Sequence, residues 1–355
     1  MTGFHTLAVA DVERLCDDAV AVTFDVPDTL ADTYRFRAGQ YLTLRLHTPD
    51  GEQRRSYSIC APEGDAPRIG VRLVDTGLFS EWLVHGLTAG DEVEVGPPEG
   101  RFCPAPATGE HHVLVAAGSG ITPVLSIAAT VLASHPRNHV TLFYGNRRTD
   151  TVMFGEDLAD LKDRHPGRLQ LAHVLSREPR EAEIFGGRLD AAKLRALFAG
   201  LVPVPDVSHW WLCGPYGMVT DAQEVLGELG VPRERVHREL FHVAADGAPP
   251  EPVRAEEVSD GEGVAGSVVL HGRSTDVVFP PHRSVLDAAQ RVRSDLPFAC
   301  RGGVCGTCRA RADGGEVTMA RNFALEPEEV DAGFVLTCQS FPVPGPGPLV
   351  LDYDV

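Results

Sequence analysis

The sequence is poor in basic residues relative to acidic ones. Its 355 residues include 32 Lys and Arg against 50 Asp and Glu, for a formal net charge of −18 at pH 7. Nucleic acids need Lys and Arg to neutralise their phosphates, so this balance argues against a nucleic-acid partner and allows a basic protein partner. The commoner explanation of such a charge is an acidic surface that keeps a protein in solution.

Long apolar runs are also missing. No stretch approaches the roughly 18 apolar residues that span a bilayer, and residues 1–15 lack the basic flank and apolar run of a signal peptide. We therefore expect a cytoplasmic protein. The content of 43% hydrophobic and 23% charged residues is that of a globular protein. A chain of this length is expected to form about two or three domains.

Cysteine is scarce over most of the chain and concentrated near its end. Four of the eight cysteines are scattered over the first 299 residues, and we interpret Cys16, Cys60 and Cys103 as packing residues. Three others lie within ACRGGVCGTC, residues 299–308. Secreted disulfide-rich proteins spread their cysteines through a short chain, so this distribution favours a metal site in a reducing compartment.

The spacing C-x4-C-x2-C, with a fourth cysteine far downstream, is that of a plant-type 2Fe–2S cluster. The four predicted ligands are Cys300, Cys305, Cys308 and Cys338. Each of two irons needs two thiolates, and glycines within the loop let backbone N–H groups approach the sulfides. Structural zinc usually takes paired C-x2-C units, so zinc is the weaker alternative. Reduced structural thiols are a third interpretation.

The pattern of secondary structure changes along the chain. Residues 1–108 contain short alternating runs bounded by Gly, Pro and Asp, which predict an antiparallel β-barrel with one helix at SEWLVHGL. In residues 109–243, apolar strands alternate with helices, which predicts an α/β domain with a parallel sheet. Residues 244–264 contain six acids, three prolines and almost no large apolar side chains, so we expect an extended linker. Residues 265–355 then form a small domain.

Two short stretches have the chemistry of ligand sites. Arg55-Ser56-Tyr57-Ser58 lies on a predicted strand, where Arg55 and Tyr57 share a face, although ordinary sheet surface is the commoner explanation of an isolated tetrapeptide. AAGSGITP, residues 116–123, ends an apolar strand and begins a helix, so its glycines permit a close approach of a phosphate. It lacks the third glycine of G-x-G-x-x-G, and a plain strand–helix turn is the alternative.

Taken together, these stretches resemble the ferredoxin–NADP reductase family. RSYS, IGVRLV, GLFS, GDEVEVGPPEGRF and GSGITP match that family in order, and the cysteine loop is similar to plant-type ferredoxins. The domain order resembles that of oxygenase reductases, and most closely the reductases that serve bacterial phenylacetyl-CoA epoxygenases. Reductases of the phthalate dioxygenase type, which use FMN, resemble the chain less. The alternative function is therefore an FMN- or FAD-dependent reductase of another oxygenase, either a Rieske dioxygenase or a multicomponent monooxygenase. The resemblance covers nearly the whole chain except the acidic linker.

The resemblance implies a multidomain fold: an antiparallel β-barrel that binds FAD, an α/β parallel-sheet domain that binds the nicotinamide nucleotide, and a β-grasp-like α+β domain that holds the 2Fe–2S cluster. Residues implied near the hydride path are Ser58, Thr122, Cys213 and Glu239, with Phe241 a further candidate beside the flavin. A lone cysteine such as Cys213 is more often a buried apolar residue. Residues implied to bind flavin or coenzyme are Arg55, Ser56, Tyr57, Ser58, Val71, Arg72, Leu73, Gly77, Phe79, Ser80, Gly118, Gly120, Thr122, Pro123, Arg147, Ser176, Arg177, Cys213, Gly214 and Pro215.

The resemblance also implies the direction of electron flow, from NADPH through FAD and the cluster to a di-iron oxygenase component. SRE, residues 176–178, resembles the 2′-phosphate site of NADP-dependent members, although these arginines could simply be solvated. Arg301 is a candidate for docking the oxygenase, or it balances the charge of the thiolates. The alternatives from other classes are an electron carrier without flavin and a zinc-stabilised interaction protein. We expect His111 and His112 to lie at a solvated strand edge.

Overall fold

The computed structural model describes residues 3–49, 51–74, 77–105, 108–241, 263–345 and 347–355. The chain divides into two compact units, residues 1–242 and 243–355, and each is described by itself. Within the described ranges, no helix combines the length and the apolar composition needed to cross a bilayer.

The first half of the larger unit is an antiparallel barrel. Its six strands are β1 (His5–Cys16), β2 (Ala19–Asp25), β3 (Tyr41–Thr48), β4 (Gly51–Ser58), β5 (Arg68–Arg72) and β6 (Glu92–Val95). Their order is β4-β3-β6-β1-β2-β5, and each neighbouring pair is antiparallel. A bridge between Ile59 and Ile69 brings the end of β4 to β5 and closes the barrel. A short helix α1 (Leu78–Glu81) follows and continues into a π-helical turn, Trp82–Gly86.

Strand β2 is buried on both faces, which explains how the barrel joins the rest of its unit. Val20, Val22 and Phe24 point into the barrel core. Ala19 and Ala21, on the opposite face, belong to a core shared with the following domain. Because successive side chains of a strand point to opposite faces, one face of β2 packs into the barrel core and the other packs into the core of the α/β domain. The barrel and the α/β domain are therefore packed against each other through β2.

The second half of the unit is the predicted α/β domain. Its strands are β7 (His111–Ala117), β8 (His139–Asn146), β9 (Leu169–Leu175), β10 (His209–Gly214) and β11 (Val236–Leu240), in the order β11-β10-β7-β8-β9, all parallel. The helices are α2 (Ile121–Ser134), α3 (Gly155–Arg164), α4 (Ala191–Leu201) and α5 (Tyr216–Glu228). Residues 113–116 of the central strand are fully buried, as expected when helices cover both faces of a parallel sheet.

The smaller unit is an α+β fold of the β-grasp type. Five strands form a mixed sheet in the order β13-β12-β18-β14-β16, and β15 pairs with β17. Leu286, Phe279 and Leu336 lie in its core. The elements are β12 (Val264–Leu270), β13 (Arg273–Phe279), α6 (Val285–Ala289), β14 (Arg309–Asp313), β15 (Glu316–Met319), α7 (Pro327–Asp331), β16 (Phe334–Leu336), β17 (Ser340–Val343) and β18 (Leu349–Asp352).

The predicted fold class is confirmed, and the elements agree with most of the predicted segments. The predicted linker falls almost wholly outside the described residues, and its last residue, Val264, begins β12. The prediction that His112 lies at a solvated edge is wrong, because the side chain is only 2% exposed.

His112 belongs to an aromatic cluster at the amino ends of the parallel strands. Trp211 Nε1 donates a hydrogen bond to His112 Nδ1 (3.1 Å), and His112 Nε2 lies 2.9 Å from Glu110 Oε2. Trp211 also stacks on His237, with ring centroids 4.1 Å apart. Burial, together with the neighbouring His209, His111 and His237, lowers the pKa of His112 to about 3. The ring is therefore neutral at pH 7.

This cluster should make the larger unit sensitive to acid. A histidine whose folded pKa is lowered takes up its proton only on unfolding, so the stability that it contributes near pH 7 decreases as pH falls below about 6.5. At pH 5 the expected loss from His112 is on the order of 2 kcal/mol. Urea unfolding followed by Trp fluorescence between pH 7 and pH 5 measures it. His112→Gln should flatten this pH dependence, and identical slopes in the two proteins would contradict the assignment.

Candidate functional site

The GSGITP turn lies at the carboxyl end of the central strand β7. Gly118 has a φ of +56°, in the left-handed region that favours glycine. A Cβ on Gly120 would lie 2.3 Å from the Cys213 carbonyl oxygen, so only glycine permits this close contact with the end of β10. Thr122 Oγ1 donates to the Ser119 carbonyl (3.0 Å) and holds the turn together. Pro123 is buried in the first turn of α2.

Three of the four residues predicted on the hydride path come together beside this turn. Ser58, at the end of barrel strand β4, donates from Oγ to Glu239 Oε2 (3.2 Å). Cys213 and Glu239 are register partners on the adjacent parallel strands β10 and β11. The fourth residue, Thr122, packs its methyl group against Gly70 of β5, where a Cβ would lie only 2.6 Å from it. The barrel and the carboxyl edge of the parallel sheet therefore meet at one place.

The carboxyl and thiol groups at this junction are both held in their neutral forms. Burial raises the pKa of the Glu239 carboxyl to about 8, and the Ser58 hydrogen bond offsets only part of that rise. Burial, and then the nearby Glu239, raise the pKa of the Cys213 thiol well above its usual value. A thiol that stays protonated is a poor nucleophile, so the Cys213 side chain suits a bordering role at this junction better than nucleophilic attack.

Strand β4 presents a cation and an aromatic ring on one face. Arg55 is exposed, and its guanidinium lies 6.0 Å from the centre of the Phe79 ring. Within the described ranges it makes no ion pair with a carboxylate, and its Nη1 donates to the Arg54 carbonyl (2.6 Å). Tyr57, two residues on, is half-buried against the barrel core. A guanidinium of this kind beside a partly open aromatic face fits the phosphate and the flat ring system of a flavin.

Other residues predicted to contact flavin have structural contacts of their own. Ser56 Oγ lies 3.2 Å from Thr43 Oγ1, on the face opposite Arg55 and Tyr57. Ser80 Oγ accepts from the Val74 N–H (3.0 Å) and donates to the Gly77 carbonyl (2.9 Å), so it shapes the turn that precedes α1. The side chains of Val71, Leu73 and Phe79 pack in or against the barrel core. Any contact that these three make with a ligand therefore falls chiefly to their backbone.

The ends of β8 and β9 place two arginines side by side. The Ser176 N–H donates to the Asn146 carbonyl (3.0 Å), and the Arg177 N–H donates to the Arg147 carbonyl (2.8 Å). Both arginine side chains are exposed. Gly214 and Pro215, at the end of β10, lead into α5 at the same edge of the sheet, and a Cβ on Gly214 would lie 3.2 Å from the Ala117 nitrogen.

Sequence reasoning assigned no role to three residues at this edge, although Glu178 lies within the SRE stretch. Glu178 accepts from the Thr149 N–H (2.8 Å) and hydroxyl (2.9 Å), so it holds the loop after β8. Neither amide atom of the buried Asn146 has a hydrogen-bond partner of normal geometry within the described part of the chain, although the Tyr144 hydroxyl lies near enough to interact with it. Asp18, in the turn between β1 and β2, pairs with arginines of both domains. An unsatisfied buried amide beside exposed arginines suits a polar ligand such as a nicotinamide nucleotide.

In the smaller unit, the four predicted cluster ligands lie in two pairs. The thiols of Cys300 and Cys305 interact directly, as do those of Cys308 and Cys338. The Gly302 and Cys305 N–H groups both donate to Cys300 Sγ, at 3.4 Å each. A hydrogen bond from the Cys305 side chain lowers the pKa of the Cys300 thiol most, and the backbone N–H groups lower it further. Together they favour the thiolate form of Cys300.

Paired thiols suit a binuclear cluster better than a single metal ion. In a 2Fe–2S centre, each iron takes two thiolates. Backbone N–H groups directed at sulfur are a further feature of iron–sulfur sites. The donor set therefore fits the predicted 2Fe–2S cluster.

Arg301 lies in this loop with an unusual backbone conformation. Its φ is +51° although it has a side chain, and Gln339 Nε2 donates to its carbonyl (2.8 Å). Its guanidinium pairs with Asp287 and donates to Gln290 Oε1 (2.6 Å). The side chain is 47% exposed. Asp287 already balances its charge, so docking of the oxygenase and compensation of the thiolates both stay predictions for Arg301.

Three family models match the chain in the order that the sequence predicts. The oxidoreductase FAD-binding domain matches residues 6–103, the oxidoreductase NAD-binding domain matches 114–224, and the 2Fe–2S iron–sulfur cluster binding domain matches 268–343. Among solved structures, phthalate dioxygenase reductase is similar, with a TM-score of 0.61 and 26% identity over 99% of this chain and 98% of that one.

Curated relatives agree with these matches over the full length. One of the subunits of the 1,2-phenylacetyl-CoA epoxidase from Escherichia coli (strain K12) is 40% identical over 100% of this chain and 99% of its own length. The ferredoxin reductase component of 3-ketosteroid-9-alpha-monooxygenase from Rhodococcus rhodochrous is 34% identical over 95% and 94%. The chain therefore belongs to the oxidoreductase family whose members join an FAD-binding barrel, an NAD-binding domain and a 2Fe–2S domain and serve as reductase components of oxygenases.

Proposed function

We propose that this reductase takes electrons from NADPH and delivers them to a di-iron oxygenase of the phenylacetyl-CoA epoxidase type, in the cytoplasm. Similarity over the full length to a component of that epoxidase supports the choice of partner. The structural observation that carries the proposal is the Ser58–Glu239 hydrogen bond, because it joins the barrel to the carboxyl edge of the parallel sheet. Similarity to the ketosteroid monooxygenase component favours a reductase of another oxygenase as the second candidate.

The residues of the junction have two kinds of role: some bind the flavin and the coenzyme, and others lie beside the reacting rings. A bound flavin accepts two electrons as a hydride and passes them on singly, which is what a one-electron cluster requires. Arg55 and Tyr57 hold the flavin phosphate and ring, and the N-terminus of α2 behind Gly118 and Gly120 binds the coenzyme diphosphate. Ser58, Cys213 and Glu239 would lie beside a flavin and a nicotinamide bound at this junction.

Glu239 contributes mainly through its protonation state. With a pKa of about 8, its carboxyl is mostly protonated at pH 7 and can donate a hydrogen bond. A neutral carboxyl places no negative charge beside a ring that is about to receive a hydride, whereas a carboxylate opposes the arriving charge. Burial of Glu239 therefore assists hydride transfer, because it keeps the carboxyl neutral.

Glu239→Gln tests this role. We expect the rate of flavin reduction by NADPH in the wild type to decrease as pH rises through about 8, since the carboxyl then ionises. The amide cannot ionise, so the variant should keep a nearly constant rate between pH 7 and pH 9. Stopped-flow absorbance at each pH measures the effect. A variant that retains the wild-type decrease would show that another group is responsible.

Arg177→Ala tests the choice of coenzyme. Loss of a guanidinium from a 2′-phosphate site should raise KM for NADPH about tenfold and leave KM for NADH within about twofold, because NADH lacks that phosphate. Steady-state ferricyanide reduction with each coenzyme provides the measurement. Arg180→Ala, an exposed arginine three residues on, is the matched control. An equal effect on both coenzymes would remove Arg177 from the 2′-phosphate site.

Cys338→Ser tests the order of electron flow and the partner. The variant should lose cluster iron and sulfide but retain flavin, so that ferricyanide reduction stays within about twofold while reduction of the oxygenase is lost. Cys60→Ser is the control, because a serine there keeps the hydrogen bond that the Cys60 side chain donates to the Arg68 carbonyl (3.1 Å).

The acceptors to compare are purified phenylacetyl-CoA epoxidase oxygenase and a Rieske oxygenase, each reduced with NADPH and with NADH. Faster turnover of the epoxidase by the wild type is the expected result. Preference for the Rieske protein would favour the second candidate function, and oxygenase reduction by Cys338→Ser would contradict a route through the cluster.

A further inference from the structure

An ion-pair network at the coenzyme edge is centred on Asp18, in the turn between β1 and β2. Arg72 Nε lies 3.2 Å from Asp18 Oδ1, and Arg147 Nη2 lies 3.7 Å from Asp18 Oδ2. Each carboxylate oxygen therefore faces a different guanidinium. Cys16 Sγ also donates to Oδ1 (3.2 Å). The Asp18 side chain is 33% exposed and Arg72 only 15% exposed, so water screens this network only in part.

The network connects the two domains of the larger unit. Arg72 ends barrel strand β5, whereas Arg147 follows β8 of the parallel sheet. A second contact from Arg72, between its Nη2 and the Thr151 carbonyl, reaches the loop after β8. The Asp18 carbonyl separately accepts from the Leu73 N–H (2.7 Å), so the turn itself is held by backbone as well as by side chains.

The same groups surround the turn that is proposed to bind the coenzyme phosphates. A Cβ built on Gly118 would lie 3.5 Å from Arg72 Nη1. Tyr144 donates from its hydroxyl to the Gly118 carbonyl (3.0 Å), and the unsatisfied amide of Asn146 directly precedes Arg147. Two cations and an unsatisfied buried amide at the carboxyl end of a parallel sheet make an anion site. The anion that faces both cations in the structure is the Asp18 carboxylate.

We propose that Asp18 is an internal competitor of the coenzyme's phosphates and thereby sets the affinity for the nicotinamide nucleotide. A phosphate that engages Arg147 or Arg72 has to replace the Asp18 carboxylate, and it also meets the repulsion of that carboxylate. Asp18 does not touch the reacting atoms, so it is a positioning residue that acts through the two arginines. The inference rests on the proposed use of this edge by the coenzyme.

Asp18→Asn tests the proposal in the full-length protein. The amide has the same shape and no charge, so both arginines become available to phosphate. We expect KM to decrease about three- to tenfold, which corresponds to the loss of one partly exposed ion pair, with kcat unchanged. Asp17→Asn is the matched control, because it changes the net charge equally while its exposed side chain contacts neither arginine.

Comparing NADPH with NADH shows which phosphate of the coenzyme competes with Asp18. A lower KM for NADPH alone assigns the competition to the 2′-phosphate, and a lower KM for both NADPH and NADH assigns it to the diphosphate. Either result supports the proposal. Unchanged or higher values for both coenzymes, relative to Asp17→Asn, overturn it.

A second variant separates charge from fold. Asp18→Glu keeps the carboxylate and should keep KM within about twofold of the wild type. A decrease equal to that of Asp18→Asn would overturn the proposal, and so would loss of bound flavin in Asp18→Asn, since it would assign Asp18 to holding the barrel. Ferricyanide as acceptor makes the test independent of the oxygenase. Measuring both coenzymes in every variant makes it independent of which one the wild type prefers.

Discussion

The close contact between Gly120 and the end of β10 is the constraint on which the junction depends. Because a Cβ there would lie 2.3 Å from the Cys213 carbonyl oxygen, the turn before α2 and the last residues of β10 can approach only as backbone against backbone. That approach places the Cys213 backbone against the turn, and parallel register then fixes Glu239 beside Cys213 on the next strand. Ser58 of the barrel reaches Glu239 from the other side. The absence of a Cβ at Gly120 therefore determines where the barrel and the α/β domain can form a shared site.

The charge of the protein and the charge of its coenzyme present an apparent conflict. A chain with a net charge of −18 has to bind nucleotides that are themselves anionic. The structure reduces the conflict locally at two acids of the coenzyme edge. Burial keeps Glu239 largely protonated, and two arginines pair with Asp18. Glu178 stays ionised, because hydrogen bonds from Thr149 lower the pKa of its carboxyl. Net charge therefore describes the outer surface and gives little information about the field inside a site.

The sequence was informative wherever one local pattern determines one structure. Cysteine spacing predicts the four thiols of the smaller unit, and strand–turn–helix chemistry predicts the position of GSGITP, because ligands and backbone conformation there come from adjacent residues. Contacts between distant segments could not be predicted in this way. Nothing near Asp18 indicates that it meets Arg72 and Arg147, and nothing near His112 indicates that Trp211 covers it. Such pairs exist because separate strands converge, so they follow from the fold and not from neighbouring residues.

The conformation of the cysteine loop also depends on contacts with distant segments. Its backbone folds back so that N–H groups face Cys300 Sγ, and Arg301 takes a left-handed conformation that a residue with a side chain adopts at some cost. The contacts of Arg301 offset that cost, since its carbonyl accepts from Gln339 and its guanidinium is held by Asp287 and Gln290 over the Phe298 ring. The strained residue is thus fixed by residues of three other segments. A loop held in this way fixes three of the four thiols, and Cys338 from a separate segment completes the second pair, as a binuclear cluster requires.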